Sequence, residues 1–160
     1  MLVCGGMVGR GHQGFSLLEL LSALGMMSVL FAIALPRVSA VLPGLLLDQA
    51  ARQVVSDLEL VRLKAINRNN RVRAIFDLDR AEYRIENDAE GTFQAEGPPR
   101  RLPAGVAFDA SASTRVSGGR VTITVLPRGN TFDNATIALQ ANEGSRRRVI
   151  VGTAGRVRIQ

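Results

Sequence analysis

Gly14-Phe15-Ser16-Leu17-Leu18-Glu19-Leu20-Leu21, continuing as an apolar run to Leu35, is the stretch from which the rest of the chain is read. From Phe15 to Leu35 the only charged side chain is Glu19. A bilayer core of ~30 Å is crossed by about 20 apolar helical residues, so residues 15–35 are long enough to span a membrane. The carboxylate is the anomaly. An Asp at the centre of an inserted helix costs roughly 2.5–3.5 kcal/mol. A Glu one turn from the start costs less, yet it still calls for a partner.

Position supplies one. Residues 1–14 form a short leader whose charge candidates are Arg10 and His12. Cleavage after Gly14 would make Phe15 the new N-terminus and leave its ammonium at the end of an apolar helix. Glu19, four residues on, lies on the same helix face. Amine and carboxylate can then neutralise each other, within one chain or between neighbours. A secretory signal peptide would put its cleavage site after the apolar region; a cut after Gly14 would precede it and leave the span in the mature protein.

Gly14-Phe15-Ser16-Leu17-Leu18-Glu19 resembles the processing site of type IV prepilins and type II secretion pseudopilins. The resemblance implies that prepilin peptidase cuts after Gly14 and methylates the amine of Phe15. It also implies that Glu19 is needed for subunit assembly. Pro36, closing the apolar run, is similar to the helix-kinking proline of that family. An ordinary signal anchor with a chance Glu is the competing reading.

The chain has 160 residues. That suits one membrane helix and one small soluble domain. The single cysteine, Cys4, and the single histidine, His12, both lie in the leader. The mature chain therefore has no disulfide, no thiol metal site, and no Cys-His or Ser-His-Asp set. No enzyme, cofactor or metal centre is expected. Asp77 and Asp79 flank Leu78 beside a turn, where acids are usually solvated; a calcium site is the minor alternative. Net charge is +6, and its distribution is uneven. Asp77 to Glu96 holds seven acids against Arg80 and Arg84, whereas Ser145 to Gln160 holds five arginines and no acid.

After Pro36, which should kink or interrupt the helix, Pro43-Gly44 is a second weak point. Leu47, Ala51, Val54, Leu58, Val61 and Ala65 then recur at helical spacing. This predicts a helix from about Leu45 to Ile66, packed on a sheet rather than in a coiled coil. From Arg71 the period becomes two. Strands are expected over Val72–Leu78, Ala81–Glu86, Gly105–Asp109, Arg120–Leu126, Thr136–Gln140, Arg147–Val151 and Arg156–Ile159. Asn87–Arg101, with Gly91, Gly97 and Pro98-Pro99, reads as loop. The expectation is an α+β fold: a long N-terminal helix against an antiparallel sheet, with a β-sandwich also open. The segments are a leader (1–14), a transmembrane and assembly helix (15–35), its amphipathic continuation (36–68) and a β-rich domain (69–160).

Leu126-Pro127-Arg128-Gly129, then Arg147-Arg148-Val149-Ile150-Val151, then Gly155-Arg156-Val157-Arg158-Ile159 resemble the GspH/FimT branch of minor pseudopilins and minor pilins. The resemblance implies a structural subunit of the type II secretion pseudopilus. Such a subunit is single-pass in the inner membrane, has a periplasmic domain, and has other pseudopilins as partners. The alternative it implies is a minor pilin binding DNA during uptake. Arg156 and Arg158, two residues or about 6.6 Å apart along a strand, face one way, and Arg146, Arg147 and Arg148 are their candidate companions. Arginine's fixed fork of donors suits phosphate. The competing reading is a solvated edge-strand charge set that blocks edge-to-edge pairing.

Overall fold

The computed structural model describes residues 15–132 and 134–160. The chain divides between Ala40 and Val41, and the two units are taken separately. One helix, α1 (Leu17–Asn67), contributes to both.

In the first unit α1 is apolar and exposed throughout its described side chains, from Leu17 at 76% to Val38 at 61%. The helix is long and apolar enough to cross a membrane. Its few hydroxyls are satisfied internally. Ser22, Ser28 and Ser39 each donate to the carbonyl three residues back, at 2.8–2.9 Å. Helix is assigned through Pro36 and through Pro43-Gly44 without interruption. The helix is thus not interrupted at Pro36, one of the two outcomes expected there, nor at the weak point Pro43-Gly44. A proline removes one intrahelical hydrogen bond, and the remaining bonds of a 51-residue helix keep it continuous.

In the second unit Leu47, Ala50, Ala51, Val54, Leu58, Val61 and Ala65 are buried along one face of α1, as the stripe predicts. Asn69 at φ 49 stops the helix, and the Asn70 N–H reaches back to the Ala65 carbonyl at 3.1 Å. A left-handed residue followed by a bond of this reach is a Schellman cap.

Nine strands follow among the described residues: β1 (Val72–Asp77), β2 (Glu82–Ala89), β3 (Thr92–Ala95), β4 (Arg100–Arg101), β5 (Val106–Asp109), β6 (Arg120–Val125), β7 (Ala135–Ala141), β8 (Arg146–Val151) and β9 (Val157–Ile159). They form two antiparallel sheets. The first has the order β3-β2-β1-β6, with β4 also on β2, and the second has the order β5-β7-β8-β9. The expected loop over Asn87–Arg101 is corrected. Glu90 (φ 53) and Gly91 (φ 88) lie between Ala89 and Thr92, which pair. Two positive φ values in a two-residue connection make a type I′ hairpin turn, so the glycine that read as loop is the tip of the β2–β3 hairpin.

Phe76 of β1 stacks on Tyr83 of β2 at 5.2 Å and meets Phe108 of β5 edge-on at 5.7 Å. The two sheets therefore face each other, and α1, β1, β2 and β5–β8 share one core. The architecture is α+β, with a helix against a two-sheet sandwich. Polar pins fix the helix. Asp57 accepts from the Tyr83 hydroxyl and from Arg100, and Arg147 donates to Asp48 at 2.8 Å. Burial, together with Asp57 as hydrogen-bond acceptor, holds the Tyr83 phenol far above its ordinary pKa.

Candidate functional site

Two places were expected to carry function: the start of α1 and the C-terminal arginines. Gly14 lies outside the described residues. Phe15 is 81% exposed, and Glu19 is exposed in the first turn of α1 among leucines. No described side chain pairs with Glu19.

The arginines are sorted by the pleat. Along β8, Arg147, Val149 and Val151 point inward while Arg146, Arg148 and Ile150 point out. Arg147 is thus on the other face from its neighbours and serves as a pin to Asp48 on α1. Arg146 is outward, but its Nε lies 3.3 Å from Asp109 Oδ2. Bonds from Ser111, ahead of the opposing effect of burial, hold the Asp109 carboxyl below its ordinary pKa, with help from Ala112 N–H and Arg146. Arg146 is therefore locally neutralised.

Three arginines remain. β9 pairs with β8 in the register Ile150↔Arg158, extended by two bonds between Arg148 and Gln160 at 2.8 and 2.9 Å. Arg148, Arg156 and Arg158 therefore share the outer face of the second sheet. Arg148 and Arg158 are diagonal neighbours on adjacent strands, a spacing of about 7–8 Å. All three are exposed, and no carboxylate pairs with them among the described residues. Arg156 and Arg158 line a shallow open depression with Asn134, Thr136, Thr153 and Gln160. Val157 packs on the core, but Ile159 is 43% exposed, so the inward face expected of both ends one residue early.

The acidic stretch has a different fate. Asp77 pairs with Arg120 at 3.2 Å, Glu82 with Arg101 at 3.4 Å, Glu86 with Arg73 and Arg84 at 2.6 and 2.8 Å, and Asp88 with Arg71 at 2.6 Å. Asp77 also accepts from the Arg80 N–H at 3.1 Å. No group of three or more metal-ligating side chains forms among the described residues.

Sequence reasoning missed what holds the basic strand in place. Gly155 has φ +72, and a Cβ there would overlap the carbonyl oxygen of Gly129 and come within 3.2 Å of Arg62 Nε. Arg62 on α1 donates to the Gly155 carbonyl at 3.4 Å. The turns Pro127–Asn130 and Gly152–Gly155 thus meet backbone to backbone under one arginine. The two glycines were visible; nothing in the spacing of α1 set Arg62 apart from its other polar residues.

Comparison with known proteins bears on both regions. The family described as "Type II transport protein GspH" matches residues 50–155. The pilin-like protein PilA1 of Thermus thermophilus is 31% identical over 93% of this chain and 99% of its own length. Among solved structures, the minor pseudopilin EpsH of the Vibrio cholerae type 2 secretion system superposes with a TM-score of 0.58 at 15% identity, covering 71% of this chain and 95% of that one. The Pseudomonas aeruginosa type IV minor pilin FimU gives 0.54 at 21% identity, covering 71% and 87%. At these identities the structural likenesses speak to the fold, which is that of pilins and pseudopilins.

Proposed function

The chain belongs to the GspH family of pilin-like proteins, and from that membership we propose that it is a minor pseudopilin of a type II secretion filament. Its role is structural rather than enzymatic. It sits in the inner membrane with its sandwich in the periplasm, is cut by prepilin peptidase after Gly14, is methylated at Phe15, and joins other pseudopilins through α1. The observation that carries the reading is the exposed apolar start of α1 with Glu19 as its lone charge. Such a surface needs lipid or other apolar helices around it, and its carboxylate matches an amine that only cleavage creates. The test is the mass of the protein purified from membranes. The expected chain begins at methylated Phe15. An intact leader, or cleavage after Leu35, would overturn the reading.

A second reading is favoured by a separate observation, the exposed and unpaired Arg148, Arg156 and Arg158. On this reading the chain is a minor pilin that binds DNA during uptake. Arginines on one face suit a phosphate backbone, and no aromatic residue sits among them to stack on bases. Duplex DNA binding by the full chain in detergent, lost when these three become alanine, would support it; no binding at low salt would remove it.

A further inference from the structure

The turn after β6 brings to the arginine row a cation that the C-terminal stretch does not contain. β8 and β9 pair in levels. Arg148 faces Gln160, Ile150 faces Arg158, and the Gly152 N–H donates to the Arg156 carbonyl at 2.9 Å. Each level carries one arginine on the outer face, and successive levels lie about 6.6 Å apart. The hairpin closes through Gly155, whose backbone touches the Gly129 carbonyl. Arg156 follows one of these glycines and Arg128 precedes the other. Consecutive Cα atoms are about 3.8 Å apart, so the contact leaves the Arg128 and Arg156 Cα atoms at most ~14 Å apart. Arg128 is exposed, and no carboxylate pairs with it among the described residues.

The base of this junction is another cation. Arg62 of α1 lies under both glycines: a Cβ on Gly129 would come within 3.1 Å of its Nε, and a Cβ on Gly155 within 3.2 Å. That Nε is buried with no hydrogen-bond partner. Among the described residues the guanidinium makes one bond, the 3.4 Å donation to the Gly155 carbonyl, and meets no carboxylate. A charge held partly in the protein and left without a counter-ion keeps a positive potential on the surface above it. The turns offer no backbone cradle for a ligand. Gly129 N–H closes on the Leu126 carbonyl and Gly155 N–H on that of Gly152, both at 2.8 Å. Recognition there falls to side chains, and Arg62, Arg128 and Arg156 with no acid among them select an anion. The guanidinium fork suits phosphate.

We propose that the Pro127–Asn130 turn is a further DNA-contacting element, in which Arg128 continues the row of Arg148, Arg158 and Arg156 along one phosphate backbone. The proposal rests on the DNA-binding reading above and extends it from one hairpin to the turn that hairpin touches. Arg128 adds a fourth phosphate contact, over the buried charge of Arg62. The contact is to backbone and carries no sequence preference.

The test titrates a labelled duplex oligonucleotide of arbitrary sequence against the full chain in detergent, at several salt concentrations. Arg128→Ala is expected to weaken binding about tenfold near 0.1 M salt and to make the slope of log K against log salt shallower by about 0.9. Arg128→Lys keeps the charge and is expected to keep the slope. Arg80→Ala removes an exposed arginine from the β1–β2 turn; it is the control for net charge and is expected to change neither quantity. With Cys4→Ser as background, a photoreactive group attached at Arg128→Cys is expected to crosslink the duplex, and one at Arg80→Cys is not. An Arg128→Ala chain that binds like Arg80→Ala, or equal crosslinking from the two positions, would overturn the proposal. The DNA-binding reading would still stand if the Arg148, Arg156 and Arg158 triple variant lost binding. No binding by the unaltered chain at low salt would overturn both.

Discussion

Gly155 shows how much one residue can hold. At φ +72 any side chain costs about 1–2 kcal/mol in backbone energy. A Cβ there also overlaps the Gly129 carbonyl, and overpacking of that kind costs about 1–3 kcal/mol more. Gly155→Ala should therefore lower unfolding free energy by roughly 2–5 kcal/mol, read from denaturant midpoints. Gly144→Ala is the control, with φ +86 but nothing within 4 Å of its Cβ. It should lose only the backbone part. A fall at Gly144 equal to that at Gly155 would show that the contact with Gly129 carries nothing. Glu96 makes a second test at this scale. Burial pushes its carboxyl up, but Lys64 at 3.1 Å and Arg68 at 2.9 Å outweigh that and hold it below the ordinary value. A depressed folded pKa gives stability that is present above the unfolded value of about 4.3. That stability is lost as pH falls through the lower folded value. Stability should fall below about pH 4, and less steeply in Glu96→Gln. Identical profiles for the two proteins would deny the ion pairs a role.

At the scale of elements, periodicity was the reliable guide. The stripe from Leu47 to Ala65 is buried, and the alternation in Arg120–Val125 is matched by inward Val121, Ile123 and Val125. What stayed illegible was punctuation. Gly91 reads as loop because a hairpin tip and a loop use the same residue, and only the pairing of Ala89 with Thr92 tells them apart. Pro43-Gly44 reads as a weak point, yet the helix runs through it, because propensity counts local losses and not the length of helix around them. The start of α1 is an element whose role shows only in assembly. Glu19→Ala removes the one charge from Phe15 to Leu35, so insertion into the membrane should be retained or eased. Incorporation into filaments should fail, measured as the ratio of sheared to membrane-held protein. Normal incorporation would sink the role given to Glu19.

Across the whole chain, the net charge of +6 is less informative than where its counter-charges went. The sequence shows an acidic stretch and a basic one, which suggests a polar molecule with two opposed faces. Folding undoes half of that contrast. The acids of β1 and β2 are matched by Arg73, Arg84, Arg101 and Arg120 on their own sheet and by Arg71 just before β1, and such pairings could not be read without the register. Five C-terminal arginines likewise reduce to three. Arg147 faces α1 and Arg146 meets Asp109, while Arg148, Arg156 and Arg158 stay open. This partition gives the DNA-binding reading a quantitative form. Each phosphate neutralised contributes about 0.9 to the slope of log K against log salt for duplex DNA. Replacing Arg148, Arg156 and Arg158 by alanine should make the slope shallower by about 2.7, with affinity falling alike for unrelated sequences. Arg147→Ala should leave the slope unchanged and lower stability by less than about 1 kcal/mol, as loss of a partly exposed pair does. A slope that responds to Arg147 as strongly as to the outer three would mean that the pleat does not decide which arginines reach the ligand.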